Sequence, residues 1–139
     1  MNWFVWALLS ALFAGLTAIL AKIGVAGVDS NLATAIRTTV VLLFTWAIAL
    51  ATTNPATALS LPRHTWIYLI LSGLATGLSW LCYFRALQLG EASRVAPVDK
   101  LSVVFAIALA VIVLREQLTW HQWLGGGLVV AGAMVLAWK

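Results

Sequence analysis

The sequence predicts an all-α integral membrane protein in which 139 residues form five transmembrane helices. Three observations lead there. Hydrophobic residues make up 63% of the chain and charged residues only 9%, too few to cover a water-facing surface. The apolar residues fall into five runs of about 20, each long enough to span a membrane. Every run is bounded by Trp, Pro, Gly or charge, the residues that end spans or anchor them at the interface.

The first span is expected at 3–21. Trp3 and Trp6 sit where an aromatic belt would be, and Ser10, Ala14, Thr17, Ala18 and Ala21 form one small, weakly polar stripe. The run is too long for the core of a cleavable signal peptide, and no Lys or Arg precedes it. Lys22 closes it, and a short connection with Gly24 and Gly27 leads to the helix-start residues Asp29-Ser30-Asn31.

The second span is expected at 32–51 and carries Arg37 inside it. That side chain either snorkels back to the headgroups or faces a cavity as a cation for an anionic group. Asn54-Pro55 and Pro62 break the chain before the third span at 66–88. There Gly73 and Gly77 form a small-xxx-small motif for close helix packing, and Trp80 and Phe84 continue the same face. A Trp this deep is either core packing or an aromatic cavity wall.

The fourth span is expected at 95–114, with Pro97 in its first turn, where a missing N–H is tolerated. Asp99, Ser102, Val103, Ala106 and Ala110 share a face, while Lys100 points about 100° away. Arg115-Glu116-Gln117 is a hydrophilic turn. The fifth span is expected at 119–138, with Trp120, Trp123 and Trp138 at its ends. Gly125-Gly126-Gly127 has no following Lys-Ser/Thr and reads, with Ala131 and Gly132, as a flat packing face rather than a phosphate loop.

Several functions are excluded or disfavoured. The net charge of +4 comes from scattered basic residues, which is not a nucleic-acid footprint. No Cys/His cluster has metal-ligand spacing, Cys82 is alone, and His64 and His121 stand at segment starts as interfacial residues. No catalytic residues, metal or cofactor are expected, since the sequence has no nucleophile–base constellation and no paired carboxylates.

The stretch from Tyr83 to Val104 brings Arg85, Glu91, Arg94, Asp99 and Lys100 between and into two apolar runs. It resembles the EamA domain of the drug/metabolite transporter superfamily. The matching residues are Tyr83-Phe84-Arg85-Ala86-Leu87, Gly90, Ala92-Ser93, Val95-Ala96-Pro97, Leu101-Ser102, Arg115-Glu116-Gln117-Leu118 and the Gly-rich last run. Arg37 matches an arginine often seen early in that domain's second helix. The resemblance implies one EamA-like domain over 1–139, of the short five-span bacterial and archaeal branch, in which Asp99-Lys100 after the proline is also typical. It further implies a multi-pass inner-membrane transporter of small metabolites, such as amino acids, related compounds or drugs, with export common. The first run lacks the acidic residue of the four-span small multidrug resistance branch, so proton exchange by that mechanism is not expected.

Physical reasoning adds an assembly. Five spans place the termini on opposite faces, so a second copy would complete an inverted repeat if it inserted upside down. One chain is then half of an inverted-repeat transporter, and its partners are substrate, lipid and a second copy in a homodimer, antiparallel or parallel. Basic residues favour a cytoplasmic C-terminus by only two, so the two orientations are close. The expected substrate site lies between the first, third and fourth spans. Trp80 and Tyr83 supply aromatic walls, Thr17 and Ser102 hydrogen bonds, and Arg37 and Lys100 anion-binding groups. Asp99 either pairs with one of these cations or takes up a proton, or it is a permanent partner of Lys22, Arg37 or Lys100. Gly73, Gly77, Gly127 and Ala131 are the expected close contacts, within a subunit or between two. Two other functions stay open: a non-transporting membrane subunit, and a component of a flippase for lipid-linked sugars.

Overall fold

Apolar side chains dominate every long segment, and a backbone held in lipid must satisfy its hydrogen bonds internally. The chain answers with helices. The computed structural model describes residues 2–138. Its elements are α1 (Trp3–Gly24), α2 (Ser30–Thr52), a short 3-10 helix (Pro55–Ser60), α3 (Arg63–Leu89), α4 (Ala92–Asp99), α5 (Ser102–Val113) and α6 (Trp120–Ala137). Helices thus occupy each of the five predicted stretches, with no strand among the described residues. Four stretches are long and apolar enough to cross a membrane: Trp3–Gly24, Ser30–Thr52, Arg63–Leu89 and Ala92–Val113. The expected fifth span is not among them: the 18-residue α6 carries His121, Gln122 and four glycines, which dilute its apolar content.

Two compact units can be told apart among the described residues: Ile23–Gln88, and the residues up to Lys22 together with those from Leu89 onward. In the Ile23–Gln88 unit, Asp29 caps α2 by accepting hydrogen bonds from the backbone N–H of Asn31 (2.9 Å) and Leu32 (3.1 Å). Thr34 and Thr38 return their hydroxyls to the carbonyls of Ser30 and Thr34, both at 2.7 Å, so neither polar group is stranded. Asn54 accepts from Ala56 N at 3.0 Å and starts the 3-10 helix, with Pro55 at its first position. Gly27 has φ +75°, a left-handed conformation that favours glycine, in the connection before α2. The Gln88 side chain stitches that connection to the end of α3. Its Nε2 donates to Val28 O at 2.5 Å, and its Oε1 accepts from Arg85 Nη1 at 2.9 Å. Phe84 and Leu87, in the last two turns of α3, are buried, at 3% and 0% exposure.

In the other unit, Lys22 Nζ donates to Gly90 O at 2.7 Å. Ala18 and Ala21 are buried and Thr17 is half-buried, so only the second half of the small stripe on α1 packs within the chain. α6 packs against α4 and α5. Ala133 is buried on it, and a Cβ at Gly126 would sit 3.5 Å from Ile107 Cδ1. Thr119 opens α6, with Gln122 Oε1 accepting from its N–H at 2.7 Å.

Two expectations are corrected. Pro97 is not in the first turn of the fourth span. Glu91 O already accepts from Arg94 N and Val95 N, both at 3.0 Å, so the helix starts at Ala92, before the apolar run, and Pro97 is its sixth residue. The span is also not one uninterrupted helix. Lys100 N bonds Pro97 O, Leu101 N bonds Val98 O and Val103 N bonds Lys100 O, so the backbone tightens to three-residue turns between α4 and α5. Within the chain nothing lies within 4 Å of a Cβ placed on Gly73, Gly77 or Gly127, and Ala131 is exposed, which leaves contact between subunits as the open alternative for these residues. On α6 it is Gly126, one residue from Gly127, whose Cβ position lies in ordinary contact with a neighbour, Ile107.

Candidate functional site

An arginine inside an apolar helix must find compensation for the water it has lost. Arg37 is the eighth residue of α2, about 10 Å along the axis from its start. Its guanidinium carbon lies 4.0 Å from the centroid of the Trp80 ring and 5.6 Å from that of Phe84. Trp80 and Phe84 are one turn apart on α3, so they form a two-ring platform under the cation. A cation over an aromatic face gains about 0.5–2 kcal/mol, more as water is excluded. Tyr83 is within electrostatic reach of the same guanidinium. The structure therefore brings together Arg37, Trp80 and Tyr83, three of the predicted site residues, and adds Phe84.

Phe84 is nearer the end of α3 than Trp80, which lies about 13 Å from that end. The cation rests closer to Trp80.

The remaining predicted residues belong to the other unit. Asp99 and Lys100 pair with each other, Oδ2 to Nζ 3.2 Å, although a regular helix would splay neighbouring side chains apart. The pairing is possible because α4 ends at Asp99 and Lys100 is its C-cap. The carboxylate is 33% exposed and the ammonium 56%, within a stretch apolar enough to cross the membrane. Asp99 is thus the partner of Lys100, while Lys22 is directed at the Gly90 carbonyl. Thr17 is half-buried and Ser102 is exposed at the first residue of α5. The other ion pair among the described residues, Glu91–Arg94 at 3.2 Å, lies at the start of α4. No carboxylate pairs with Arg37 among them.

Phe84 was not among the expected site residues, nor was Gln88 expected to link the end of α3 to the connection before α2. The available signal was their spacing: Trp80, Phe84 and Gln88 recur every four residues along one side of α3.

Comparison with known proteins settles the family. The model of the EamA-like transporter family matches residues 1–138. The chain belongs to that family. An uncharacterized transporter encoded in the cobO 3′ region of a Sinorhizobium species is 53% identical over 136 residues, covering 98% of this chain and 96% of the relative. A probable 4-amino-4-deoxy-L-arabinose-phosphoundecaprenol flippase subunit, ArnE, of Pseudomonas fluorescens is 33% identical over 85 residues, 60% of this chain and 72% of the relative. The corresponding ArnE of Aeromonas salmonicida is 30% identical over 69 residues, half of this chain and 60% of its own length. No solved structure matches. The chain is accordingly a transporter-family protein with several membrane-spanning helices.

Proposed function

We propose that this member of the EamA-like transporter family moves small organic metabolites, amino acids or compounds like them, across the inner membrane by alternating access as a homodimer. The observation that carries the reading is Arg37, held inside α2 on Trp80 and Phe84 and matched with no carboxylate among the described residues. A cation kept at that depth suits a substrate bearing negative charge. Export is the direction most in keeping with the family.

The dimer has its own support. Asp99 and Lys100 are partly exposed on a span that lipid would otherwise surround, and Gly73 and Gly77 leave an open face on α3. A second copy would shield the first and fill the second. With α6 as a fifth crossing, an inverted sister chain completes an inverted repeat. Reconstitution in liposomes with labelled amino acids and nucleobases, with and without a pH gradient, tests the proposal. Uptake or release of none of them, by a folded dimer, would count against it.

The likeness to ArnE favours one second reading, a component that flips a lipid-linked sugar phosphate. In that case a lipid-linked sugar, and no polar metabolite, raises the thermal stability of the protein. If neither class of ligand raises it, a non-transporting subunit is the better description.

A further inference from the structure

We infer that Trp80 is a positioning residue, not a wall against which substrate stacks, and that it presents Arg37 to an oxyanion, a carboxylate or phosphate, bound along the edge of the guanidinium. The inference names the ligand chemistry of the site proposed above, and so rests on that reading for its purpose.

The geometry carries it. At 4.0 Å the guanidinium is in contact with the Trp80 ring, and an aromatic ring inserted between them would need a separation of about 7 Å. That face of Trp80 is filled. Stacking occupies the flat faces of a guanidinium and leaves its N–H groups directed outward in the plane, where they match the two oxygens of a carboxylate or phosphate. Among the described residues no protein acceptor takes a hydrogen bond from Arg37, and no buried side-chain nitrogen or oxygen is left without a partner, so these donors are open to a ligand. Phe84 is buried and adds a second ring 5.6 Å from the guanidinium carbon. A lysine would not reproduce the arrangement, since its ammonium is a point charge without a planar fork.

The test reads Arg37 directly. The full chain, labelled with 15N-arginine and held in maltoside micelles that contain no phosphate, is titrated at constant ionic strength with acetate, inorganic phosphate or neutral acetamide. Arg37→Lys assigns the Arg37 Nε–H signal. Acetate and phosphate are expected to shift that signal saturably and acetamide to leave it in place. Trp80→Phe keeps a ring face and should hold the apparent affinity within about threefold, while Trp80→Leu should weaken it about tenfold. An equal response to acetamide, no saturable shift up to about 0.1 M oxyanion, or an unchanged affinity in folded Trp80→Leu would overturn the inference. The wild-type comparison and Trp80→Phe keep it falsifiable should Trp80→Leu not fold.

A second arm separates the sources of the oxyanion. Phosphatidic acid is added to the micelles. If it saturates Arg37 and acetate cannot displace it, the ligand is a lipid phosphate; if acetate competes, the ligand is soluble. Because no flux is measured, the two readings fail separately. A chain that transports nothing but still shows the shift would defeat the transport reading alone. Transport of neutral solutes without the shift would defeat only the oxyanion.

Discussion

Gln88 makes two bonds of opposite sense, donating to the Val28 carbonyl and accepting from Arg85. Gln88→Met keeps the length of the side chain and removes both bonds. It should cost about 1–2 kcal/mol in unfolding measured in mild detergent; equal stability would mean that the two links contribute nothing. Asp99 pairs with Lys100 within a membrane-crossing stretch, where loss of one partner leaves the other charge uncompensated. If Asp99 carries a proton, Asp99→Asn should give a folded dimer whose flux no longer responds to pH. A collapse in folded yield would show instead that Asp99 neutralises a charge the fold cannot otherwise hold. At this scale the sequence was readable where a residue contradicted its surroundings: Arg37, Trp80 and Tyr83 are conspicuous in apolar runs, and the structure brings them together. Phe84 was less visible, because a phenylalanine in an apolar run is ordinary, and its part depends on which helix faces it.

Helix ends were legible because apolar runs stop where polar and breaking residues begin; the observed termini of α1, α2, α3 and α6 lie within three residues of the expected ones. The start of α4 and the tightened turn after it were not. Both are decided by backbone hydrogen bonds of Glu91 and of residues 97–103, to which side-chain patterning is blind. The glycines show the same limit, since small residues announce a close approach without naming the partner. Gly126 and Gly77 now separate the possibilities. A leucine at Gly126 extends beyond a Cβ already in contact with Ile107 and should lower the stability of the single chain by about 1–3 kcal/mol. A Cβ at Gly77 has nothing within 4 Å in the chain, so Gly77→Leu should not lower that stability and should reduce the dimer fraction seen by cross-linking in native-like bilayers. A dimer fraction that stays the same would exclude the Gly73–Gly77 face from the interface.

For the molecule as a whole, family membership and four of the five expected spanning stretches were legible because they depend on composition, run length and motif order, which all act along the chain. Assembly is of another kind, since it depends on surfaces that one chain leaves open. Accessibility tags at Met1 and Lys139 measure it: in the antiparallel dimer each tag is reached from both sides of the membrane in equal amounts. If every chain inserts the same way, the antiparallel arrangement is wrong and a parallel dimer survives.

The unequal helices have a consequence for the surrounding lipid. The 27 residues of α3 extend about 40 Å and the 18 of α6 about 27 Å, against a hydrocarbon layer of about 30 Å. α3 can lean or carry its polar ends into the headgroups, whereas α6, as the fifth crossing proposed above, would draw the bilayer thinner. Acyl-chain length should thus act on this protein as a mechanical variable. Short-chain lipids should relieve the strain at α6 and long-chain lipids should increase it, so that reconstituted flux falls as the bilayer thickens even though no residue has changed.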